Sequence, residues 1–455
     1  MANVPKGLSF WHILIHNLEG GFALSDFEVI VVGAGLAGSV AAYELAKLGR
    51  EVLVVERGNF AGAKNMTGGR IYVHSLRKVF TDEELAEAPF ERKITHERIS
   101  LLAPDANFTV DFTSSAMDDP ATASYSVLHA TFDQWLAEKA EEAGAEMIYG
   151  IPVEGLMKDE NGKVCGVRAG DDEITADLVI LADGANSLLA REAVGYEKPP
   201  ANQMAVGVKE VFELPAATIT DRVLAASDDE GAAWLFAGDA THGTFGGGFM
   251  YTNRDSISLG VVAGIEACAN GGVPVYQMLE DLKNHPAVAP LIKGARCVEH
   301  SGHMVPEGGI NIMPPLVADG VMLAGDSAMM CINLGYMVRG MDYAVAAGQL
   351  AGRNAAVALE VGNTSAEVLR RCYVEDLEKS FVMKDFREYD AEPAFLEQFE
   401  RMFRGYPEMV RDIMNELFIV DGRPVKRLLN KVLPQISKVG IANILKDVRG
   451  ALSAL

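Results

Sequence analysis

Three glycines with the spacing Gly-x-Gly-x-x-Gly follow a short apolar run near the start of this 455-residue chain. In that spacing the first glycine permits a tight turn, the second lets a phosphate approach the backbone, and the third brings a helix against a strand. Unpaired amides at the start of the helix then face the phosphates. We therefore predict a dinucleotide pyrophosphate site at Gly33, Ala34, Gly35, Leu36, Ala37 and Gly38.

Acidic residues follow three other apolar runs and refine this prediction. Glu56 lies 23 residues after Gly33, where a carboxylate can accept hydrogen bonds from adenosine ribose hydroxyls. Asp183 precedes Gly184, and Asp326 follows Gly325 much later in the chain. Together with the glycine motif, these two residue pairs make three motifs, each at the end of a predicted strand. An aspartate at 326 can bind a ribitol hydroxyl, which a nicotinamide dinucleotide lacks, so the pattern favours FAD over NAD. The alternative is that Asp326 only caps a following helix.

Hydrophobic periodicity indicates the elements that must position these residues. Segments 27–32 and 51–56 are short and rich in apolar, β-branched residues, as is typical of buried parallel strands. The helix between them ends near Leu48, which completes a βαβ unit. Further strands are predicted at 177–182 and at 320–323, the latter opening into a helix.

The second half of the chain has a different pattern of apolar and polar residues. Alternating apolar and polar residues between 201 and 296 predict an antiparallel sheet with one face toward a ligand chamber. From Ser365 onward the apolar spacing is helical and is interrupted at Pro393, Pro407 and Pro434.

Composition restricts the classes of function. A net charge of −23 argues against nucleic-acid binding, which needs a basic surface. The five cysteines are scattered without the spacing of a zinc site, an iron–sulfur cluster or a redox dithiol, which suggests reduced thiols in the cytoplasm.

Two segments are candidates for docking. The apolar cluster Phe10–Leu18 is too short and too polar to cross a bilayer, so it either packs on the protein or lies at an interface. The stretch 426–455 is basic with interleaved Leu and Ile, which suits an anionic membrane surface and an acidic partner equally well.

Six further stretches carry a family resemblance: 62–70, 132–136, 246–251, 306–309, 335–342 and 380–385. With these stretches the chain resembles FixC and the electron-transfer-flavoprotein:quinone oxidoreductases. They belong to a larger group that includes geranylgeranyl reductases and aromatic-ring hydroxylases. The resemblance extends from about residue 27 to the carboxyl terminus.

The resemblance implies a role for each cofactor-binding segment. The glycines of the first motif, with Glu56 and Arg57, would hold the adenosine diphosphate half of FAD, and Asp326 the ribitol. The segment that would wrap the flavin is Asn65, Met66, Thr67, Gly68 and Gly69.

The resemblance also places the start of a helix, after Gly335 to Gly340, near the flavin edge where negative charge gathers on reduction. Arg339 would strengthen that field or serve as a structural salt-bridge partner. His129 stands where the group often has arginine, so no flavin contact is transferred to it.

The glycine-rich stretch 246–251 resembles the family's quinone chamber. Gly247 and Gly248 would let a flat ring lie against the backbone, and Phe249 or Tyr251 would stack on that ring. The alternative is a β-bulge with core aromatics.

These observations predict an α/β fold. A Rossmann-type FAD-binding domain of the hydroxylase and glutathione-reductase type comprises 26–92, 124–200 and 297–360. A quinone or substrate domain with an antiparallel sheet comprises 93–123 and 201–296. An amino-terminal extension, 1–25, and a helical region, 361–455, complete the division.

The expected activity is passage of electrons from an electron-transfer flavoprotein through FAD to a quinone, in a multisubunit, electron-bifurcating complex. The mitochondrial relatives carry a fused four-cysteine iron–sulfur domain, whereas nothing after Cys372 here can ligate a cluster. A separate ferredoxin-like subunit (FixX) would supply it, or electrons would reach the flavin directly. The expected location is the inner face of the cytoplasmic membrane, as a peripheral protein.

Three alternatives remain at this point. A geranylgeranyl-type reductase would reduce prenyl double bonds beside the flavin. A monooxygenase would need its own NADPH oxidation. The chain could also be an assembly subunit whose flavin is a relay.

Overall fold

The computed structural model of the protein describes residues 25–66 and 68–454. The predictions made for residues 1–24 and for Thr67 therefore lie outside the described residues. The strands are β1 (Phe27–Val32), β2 (Val52–Glu56), β3 (Gly69–Tyr72), β4 (Lys93–Ala103), β5 (Ala106–Phe112), β6 (Ser124–Val127), β7 (Glu146–Tyr149), β8 (Gly155–Lys158), β9 (Val164–Ala169), β10 (Asp172–Leu181), β11 (Met204–Glu213), β12 (Glu230–Gly238), β13 (Gly246–Thr252), β14 (Ser256–Gly264), β15 (Arg296–Pro306), β16 (Val317–Ala318), β17 (Val321–Leu323), β18 (Ile332–Asn333) and β19 (Val338–Arg339).

The α-helices are concentrated around the first sheet and at the carboxyl-terminal end. They are α1 (Leu36–Lys47), α2 (Val73–Leu76), α3 (Asp82–Ala86), α4 (His129–Ala143), α5 (Leu189–Val194), α6 (Ala216–Val223), α7 (Ile265–Gly271), α8 (Val275–Asn284), α9 (Met341–Glu360), α10 (Ala366–Leu369), α11 (Glu375–Lys379), α12 (Phe381–Glu388), α13 (Glu392–Gln398), α14 (Glu400–Phe403), α15 (Gly405–Phe418), α16 (Leu428–Val439) and α17 (Ile441–Ala454).

The first sheet has the strand order β16-β17-β10-β1-β2-β7. Strands β17, β10, β1, β2 and β7 form a parallel Rossmann-type core, β16 is antiparallel to β17, and β9 and β8 extend antiparallel from β10. Its central strands consist of β-branched and apolar residues that are buried on both faces, as parallel strands covered by helices require. β1 pairs in parallel with both β2 and β10, and β10 pairs in parallel with β17. The carboxyl ends of four strands therefore meet at one edge.

Helices α1 and α9 pack very closely on this sheet. A β-carbon at Gly348 would lie 2.3 Å from the carbonyl oxygen of Ala37, and one at Gly352 would lie 2.5 Å from that of Ala41. The absence of side chains at these two positions lets the backbones approach. This contact fixes the start of α1, which carries the glycine motif.

The second sheet has the order β15-β11-β14-β13-β12-β4-β6-β3, with β5 paired to β4. Its strands pair antiparallel except at the β12–β4 junction, which is parallel. One face packs against α6 and α8 in a separate apolar core, and β13 presents the other face to a cavity. The predicted fold class, an FAD-type Rossmann domain with an inserted antiparallel sheet and a helical end, is confirmed.

Sheet membership corrects the predicted domain division at three strands. β15 hydrogen-bonds to β11 along its whole length, so residues 297–306 lie in the second sheet rather than with the Rossmann segments. β3 and β6 also belong to the second sheet. Local residue patterns predict where strands occur, whereas the sheet to which a strand belongs depends on partners that are distant in the sequence.

The helical end also departs from expectation in one detail. Pro393 and Pro407 lie in the first turns of α13 and α15, where proline is tolerated because the first amides lack partners inside the helix. Pro434, however, lies inside α16 and does not end it. The predicted interruption at Pro434 is wrong.

We expect Gly348→Leu to force α1 and α9 apart, because no side chain fits against the Ala37 carbonyl. The free energy of unfolding should fall by about 1–3 kcal/mol or more, with loss of bound flavin. Chemical denaturation and the flavin absorbance ratio measure both effects. Val357→Leu, a change at an exposed position of the same helix, is the matched control; equal behaviour of the two variants would contradict the packing argument.

Candidate functional site

Four parallel strands end at one edge of the first sheet and bring the acidic and glycine motifs together. Val31 of β1 is paired with Val54 of β2 and with Ile180 of β10, and Leu181 is paired with Leu323 of β17. Glu56 ends β2, and Gly33, Asp183 and Asp326 follow the other three strands within three residues. Ligands of open α/β sheets bind at such carboxyl edges.

The glycine turn has the conformation that its sequence predicts. Gly33 has a φ of +99°, and its amide donates to the carbonyl of Val55 at 2.9 Å. A β-carbon on Gly33 would lie 2.5 Å from the Ala182 carbonyl oxygen, and one on Gly38 would lie 1.9 Å from the Gly33 carbonyl oxygen. A β-carbon on Gly35 would meet only the Asn65 side chain, at 3.5 Å. The second glycine thus leaves open the approach that a pyrophosphate needs.

Glu56 is tied to the turn on both sides. Its carboxylate accepts hydrogen bonds from the backbone amides of Ala34 at 2.9 Å and Gly58 at 2.6 Å. These bonds fix the carboxylate at the cavity wall beside Arg57. A ribose hydroxyl would meet a preoriented acceptor there.

Asp183 and Asp326 are half-buried residues whose carboxyls line the cavity. Burial raises the pKa of each to about 6, opposed at Asp183 by its hydrogen bond with Ser187 and at Asp326 by the charge of His129. One oxygen of Asp183 has no hydrogen-bond partner among the described residues. Hydroxyl groups of a bound dinucleotide would satisfy these oxygens, so the site fits FAD.

The predicted helix after Asp326 is absent. Residues Gly325–Ala328 form one 3-10 turn that ends at Met329, which has a φ of +59°. The side chain of Asp326 makes no capping hydrogen bond. The interpretation of Asp326 as a helix cap is therefore wrong, and its carboxyl faces the cavity instead.

Asn65 contacts helix α4, which covers the first sheet, whereas Gly68 contacts the second sheet. The Asn65 amide donates to the Asp133 carboxylate at 2.5 Å. The ammonium group of Lys209 donates to the carbonyl of Gly68 at 2.7 Å. Lys209 is fully buried, and burial lowers its pKa to about 7 despite the opposing charge of Glu299. Sequence analysis did not identify Lys209, because a lysine in a strand with alternating apolar and polar residues is expected to face solvent.

Residues 335–340 line the cavity and lead into α9, whose positive end points to the same region. Arg339 donates to the carboxylates of Asp342 and Asp385, the latter at 2.7 Å, and lies over the Tyr343 ring. Burial opposes ionisation of Asp342, but His74 and Arg339 hold its pKa below the usual value. The structural salt-bridge interpretation of Arg339 is therefore supported, since its charge is already offset.

Strand β13 forms the opposite wall of the cavity. It pairs with β12 and β14 without any register shift, so the β-bulge interpretation is wrong. Phe249 and Tyr251 alternate with buried residues and therefore share the cavity face, with ring centroids 5.7 Å apart. Burial raises the pKa of Tyr251, although Arg70 opposes the shift, so its hydroxyl stays protonated and can donate.

A single cavity of about 1050 Å³ joins these parts. That volume reaches the upper end of the range for small-molecule sites, about 300–1000 Å³. The predicted residues on its wall are Gly33, Gly35, Leu36, Ala37, Glu56, Arg57, Asn65, Met66, Gly68, Gly69, Asp183, Gly184, Asp326, Gly335, Arg339, Gly247, Gly248, Phe249 and Tyr251.

Three predicted residues lie behind the wall instead. Ala34 is held by Glu56, Gly38 packs on the glycine turn, and a β-carbon on Gly325 would lie 2.8 Å from that of Ala37. Each of them shapes the turn rather than facing a ligand.

The wall also contains residues that sequence analysis did not assign. They come from the start of α4, the β15 end, the β18–β19 hairpin and the carboxyl-terminal helices: His129, His303, Glu307, Asn333, Leu396, Phe399, Met402 and Phe403. Only the Pro-Glu-Gly-Gly stretch at 306–309 gave a signal, as part of the family resemblance. The others come from segments that the sequence places far from the motifs.

Comparison with known proteins agrees with this geometry. An FAD binding domain matches residues 26–235, the ETF-QO ubiquinone-binding domain matches 204–305, and the ETF-QO/FixC family C-terminal domain matches 392–455. A probable electron transfer flavoprotein-quinone oxidoreductase of Escherichia coli, YdiS, is 48% identical over 93% of this chain and 98% of its own. The chain belongs to the ETF-QO/FixC family. Protein FixC of Escherichia coli is also 48% identical, over 92% of this chain and 97% of its own.

Solved structures share the fold. A geranylgeranyl bacteriochlorophyll reductase-like protein from Thermoplasma acidophilum has a TM-score of 0.67 at 20% identity, covering 93% of this chain and 99% of that one. A flavoprotein/dehydrogenase from Cytophaga hutchinsonii has a TM-score of 0.61 at 17% identity, covering 94% and 99%. The family membership shows that the chain is an FAD-binding oxidoreductase.

Asp326→Ala should weaken FAD binding about 10-fold or more, because it removes a hydrogen-bond acceptor for the ribitol that is worth about 1.5–3 kcal/mol when ionised. Fluorescence titration of the apoprotein with FAD measures this change. Asp319→Ala, at the exposed other end of the same β17 segment, is the matched control. Unchanged FAD affinity in the Asp326 variant would remove the ribitol contact from the site.

Proposed function

We propose that this protein takes electrons from an electron-transfer flavoprotein and passes them through FAD to a quinone bound against β13. The observation that carries the proposal is the continuous cavity: its polar end lies at the Rossmann strand ends, and its apolar end lies between β13 and helices α13 and α14. The match to a ubiquinone-binding domain covers β13. FAD supplies the electron chemistry, and the chain positions both ligands.

The residues of the chain suit a flat, weakly polar ring. Gly247 offers backbone without a side chain on the cavity wall, while the Phe249 ring lies over Gly260 of the neighbouring strand. A β-carbon on Gly248 would instead lie 2.8 Å from the side chain of Leu282, so the lack of a side chain there lets the sheet pack against α8. Tyr251 can donate a hydrogen bond to a quinone oxygen, because burial keeps its hydroxyl protonated. The apolar end beside Phe399 and Phe403 suits a prenyl tail.

A wider assembly is part of the same proposal. We expect electron-transfer flavoprotein subunits and a ferredoxin-like iron–sulfur subunit to copurify with this chain in a bifurcating complex. Isolation of the native complex with identification of its subunits and of its iron content tests this. A chain that is always isolated alone would contradict the assembly.

Purified protein should reduce a soluble quinone analogue when reduced electron-transfer flavoprotein is supplied. Phe249→Ala should raise the quinone KM about 5- to 10-fold, since loss of a buried aromatic contact is worth about 1 kcal/mol or more, while FAD remains bound. Steady-state kinetics measure this, with Phe108→Ala, on an exposed part of the same sheet, as the control.

The same assay separates the rival activities. The apolar end of the cavity would also accept a prenyl double bond, so turnover of a prenyl lipid without turnover of quinone would favour the geranylgeranyl-type reductase. Rapid NADPH consumption stimulated by a substrate would favour a monooxygenase. Quinone reduction alone supports the proposal.

We propose further that the carboxyl-terminal helices dock on the inner face of the cytoplasmic membrane. No helix within 25–66 and 68–454 is long and apolar enough to span a bilayer. Helices α16 and α17, however, expose a C-terminal apolar surface: Leu428, Leu429, Leu433, Ile441, Leu445, Val448 and Leu452. Basic residues flank it, including Lys426, Arg427, Lys446 and Arg449. This charge is complementary to anionic lipid, in which quinones reside.

Replacing Leu428, Leu429 and Leu445 with serine should reduce sedimentation with anionic vesicles at least several-fold, because each buried leucine contributes about 1.5–3 kcal/mol. The matched control replaces Val110 and Phe112, exposed on β5, with serine. Unchanged sedimentation would assign this surface to a protein partner. Deletion of residues 1–20 tests the amino-terminal segment separately.

A further inference from the structure

Two buried carboxyls outside the strand-end motifs lie where the end of β15 meets the start of α13. Glu307 follows β15 and lines the cavity wall, with only 8% of its surface exposed. It accepts a hydrogen bond from the Asn333 amide at 3.2 Å. Glu392 begins α13 and is 1% exposed.

These two carboxyls come from segments that pack on each other. A β-carbon on Gly309, two residues after Glu307, would lie 3.2 Å from the side chain of Pro393, which follows Glu392. One oxygen of Glu392 is fully buried without a hydrogen-bond partner in the described part of the chain. The two carboxyls are therefore held in place by the packing of the loop after β15 against the start of α13.

No cation of the described residues offsets the pair. Burial raises the pKa of Glu307 to about 7, opposed only by the Asn333 hydrogen bond. Burial and then repulsion by Glu307 raise the pKa of Glu392 to about 9. The neighbouring titratable groups are the buried thiol of Cys331 and the carboxyls of Asp326 and Asp342, which also surround that thiol. An ionised carboxylate is unfavourable without a partner, so the pair retains protons near neutral pH.

We infer that Glu307 donates a proton to a quinone oxygen in the cavity and that Glu392 holds the proton that replaces it. This inference rests on quinone reduction as the proposed function. Reduction of a quinone to its quinol takes two electrons and two protons. FAD, when bound, would supply both electrons and one of the protons, so the chain would have to supply one more proton.

Glu307 supplies that proton from its carboxyl O–H and becomes a carboxylate. Transfer of the Glu392 proton restores it, and solvent returns a proton to Glu392. Glu307 is the catalytic residue here because it faces the cavity, and Glu392 is a positioning and storage residue behind it. Neither step needs a further oxidant or reductant.

Comparison of two electron acceptors tests the inference in the flavin-loaded protein. A quinone analogue takes up protons on reduction, whereas ferricenium takes one electron and no proton. In Glu307→Gln the ratio of quinone to ferricenium turnover should fall at least 10-fold, since a positioned general acid contributes about 10²–10⁴-fold. The wild-type quinone rate should decline as pH rises from about 7 to 9, and this decline should flatten in the variant.

Glu397→Gln is the matched control, since this carboxyl is exposed on the same helix as Glu392. An unchanged ratio in Glu307→Gln would overturn the inference. Failure of the wild-type protein to reduce any quinone would instead reject the proposed function. Glu392→Gln should lower the ratio less than Glu307→Gln; an equal or larger effect would overturn the assigned order.

Infrared spectroscopy and thermal unfolding test the proton store without turnover. The purified flavoprotein at pH 6 should show a carbonyl band of protonated carboxylic acid that shifts in heavy water and loses intensity in each variant. A carboxyl whose pKa is higher in the folded state than in the unfolded state makes the folded state less stable as pH rises. The loss begins near the pKa of the unfolded state and is complete above the pKa of the folded state. The Tm of the wild type should therefore fall relative to Glu392→Gln between about pH 5 and 9. A band that is unaltered in both variants would overturn the inference.

Discussion

The parallel pairing of β2, β1, β10 and β17 is the constraint on which the site depends. Because these strands run in one direction, their carboxyl ends form one edge, and residues separated by almost the whole chain meet there. Glu56 arrives with β2, Asp183 with β10 and Asp326 with β17. An antiparallel arrangement would have placed some of these groups at opposite ends of the sheet. The close contact of α1 with α9 then holds the glycine turn in register with this edge.

The second sheet converts a nucleotide edge into a reaction chamber. Strand β13 faces the Rossmann edge across the cavity, and the carboxyl-terminal helices α13 and α14 close the apolar end. The Asn65–Gly69 segment links the two sheets, and Lys209 of β11 fixes it through the Gly68 carbonyl. This hydrogen bond couples the second sheet to the segment that is predicted to wrap the flavin.

The polar groups on the cavity wall are of two kinds, those with charged or hydrogen-bonded partners in the chain and those without an ion-pair partner. Glu56 and Arg339 have partners within the chain that fix their orientation at the cavity wall. Asp183, Asp326 and Glu307 line the cavity and form no ion pair within the described residues, and burial raises the pKa of each. Uncompensated buried carboxyls are unfavourable for folding, and they are enriched at functional sites because a ligand or a proton can satisfy them.

The sequence alone determined the Rossmann core, the FAD motifs, the antiparallel character of 201–296 and the family. These features depend on local patterns: strand periodicity, the glycine spacing and an acid at the end of a strand. The tertiary structure decided what depends on distant partners. It placed β15 in the second sheet, paired Arg339 with two carboxylates, faced Asp326 toward the cavity, and buried Lys209, Glu307 and Glu392. The physical reason is that burial and charge compensation are set by neighbours from other parts of the chain, which no local pattern reveals.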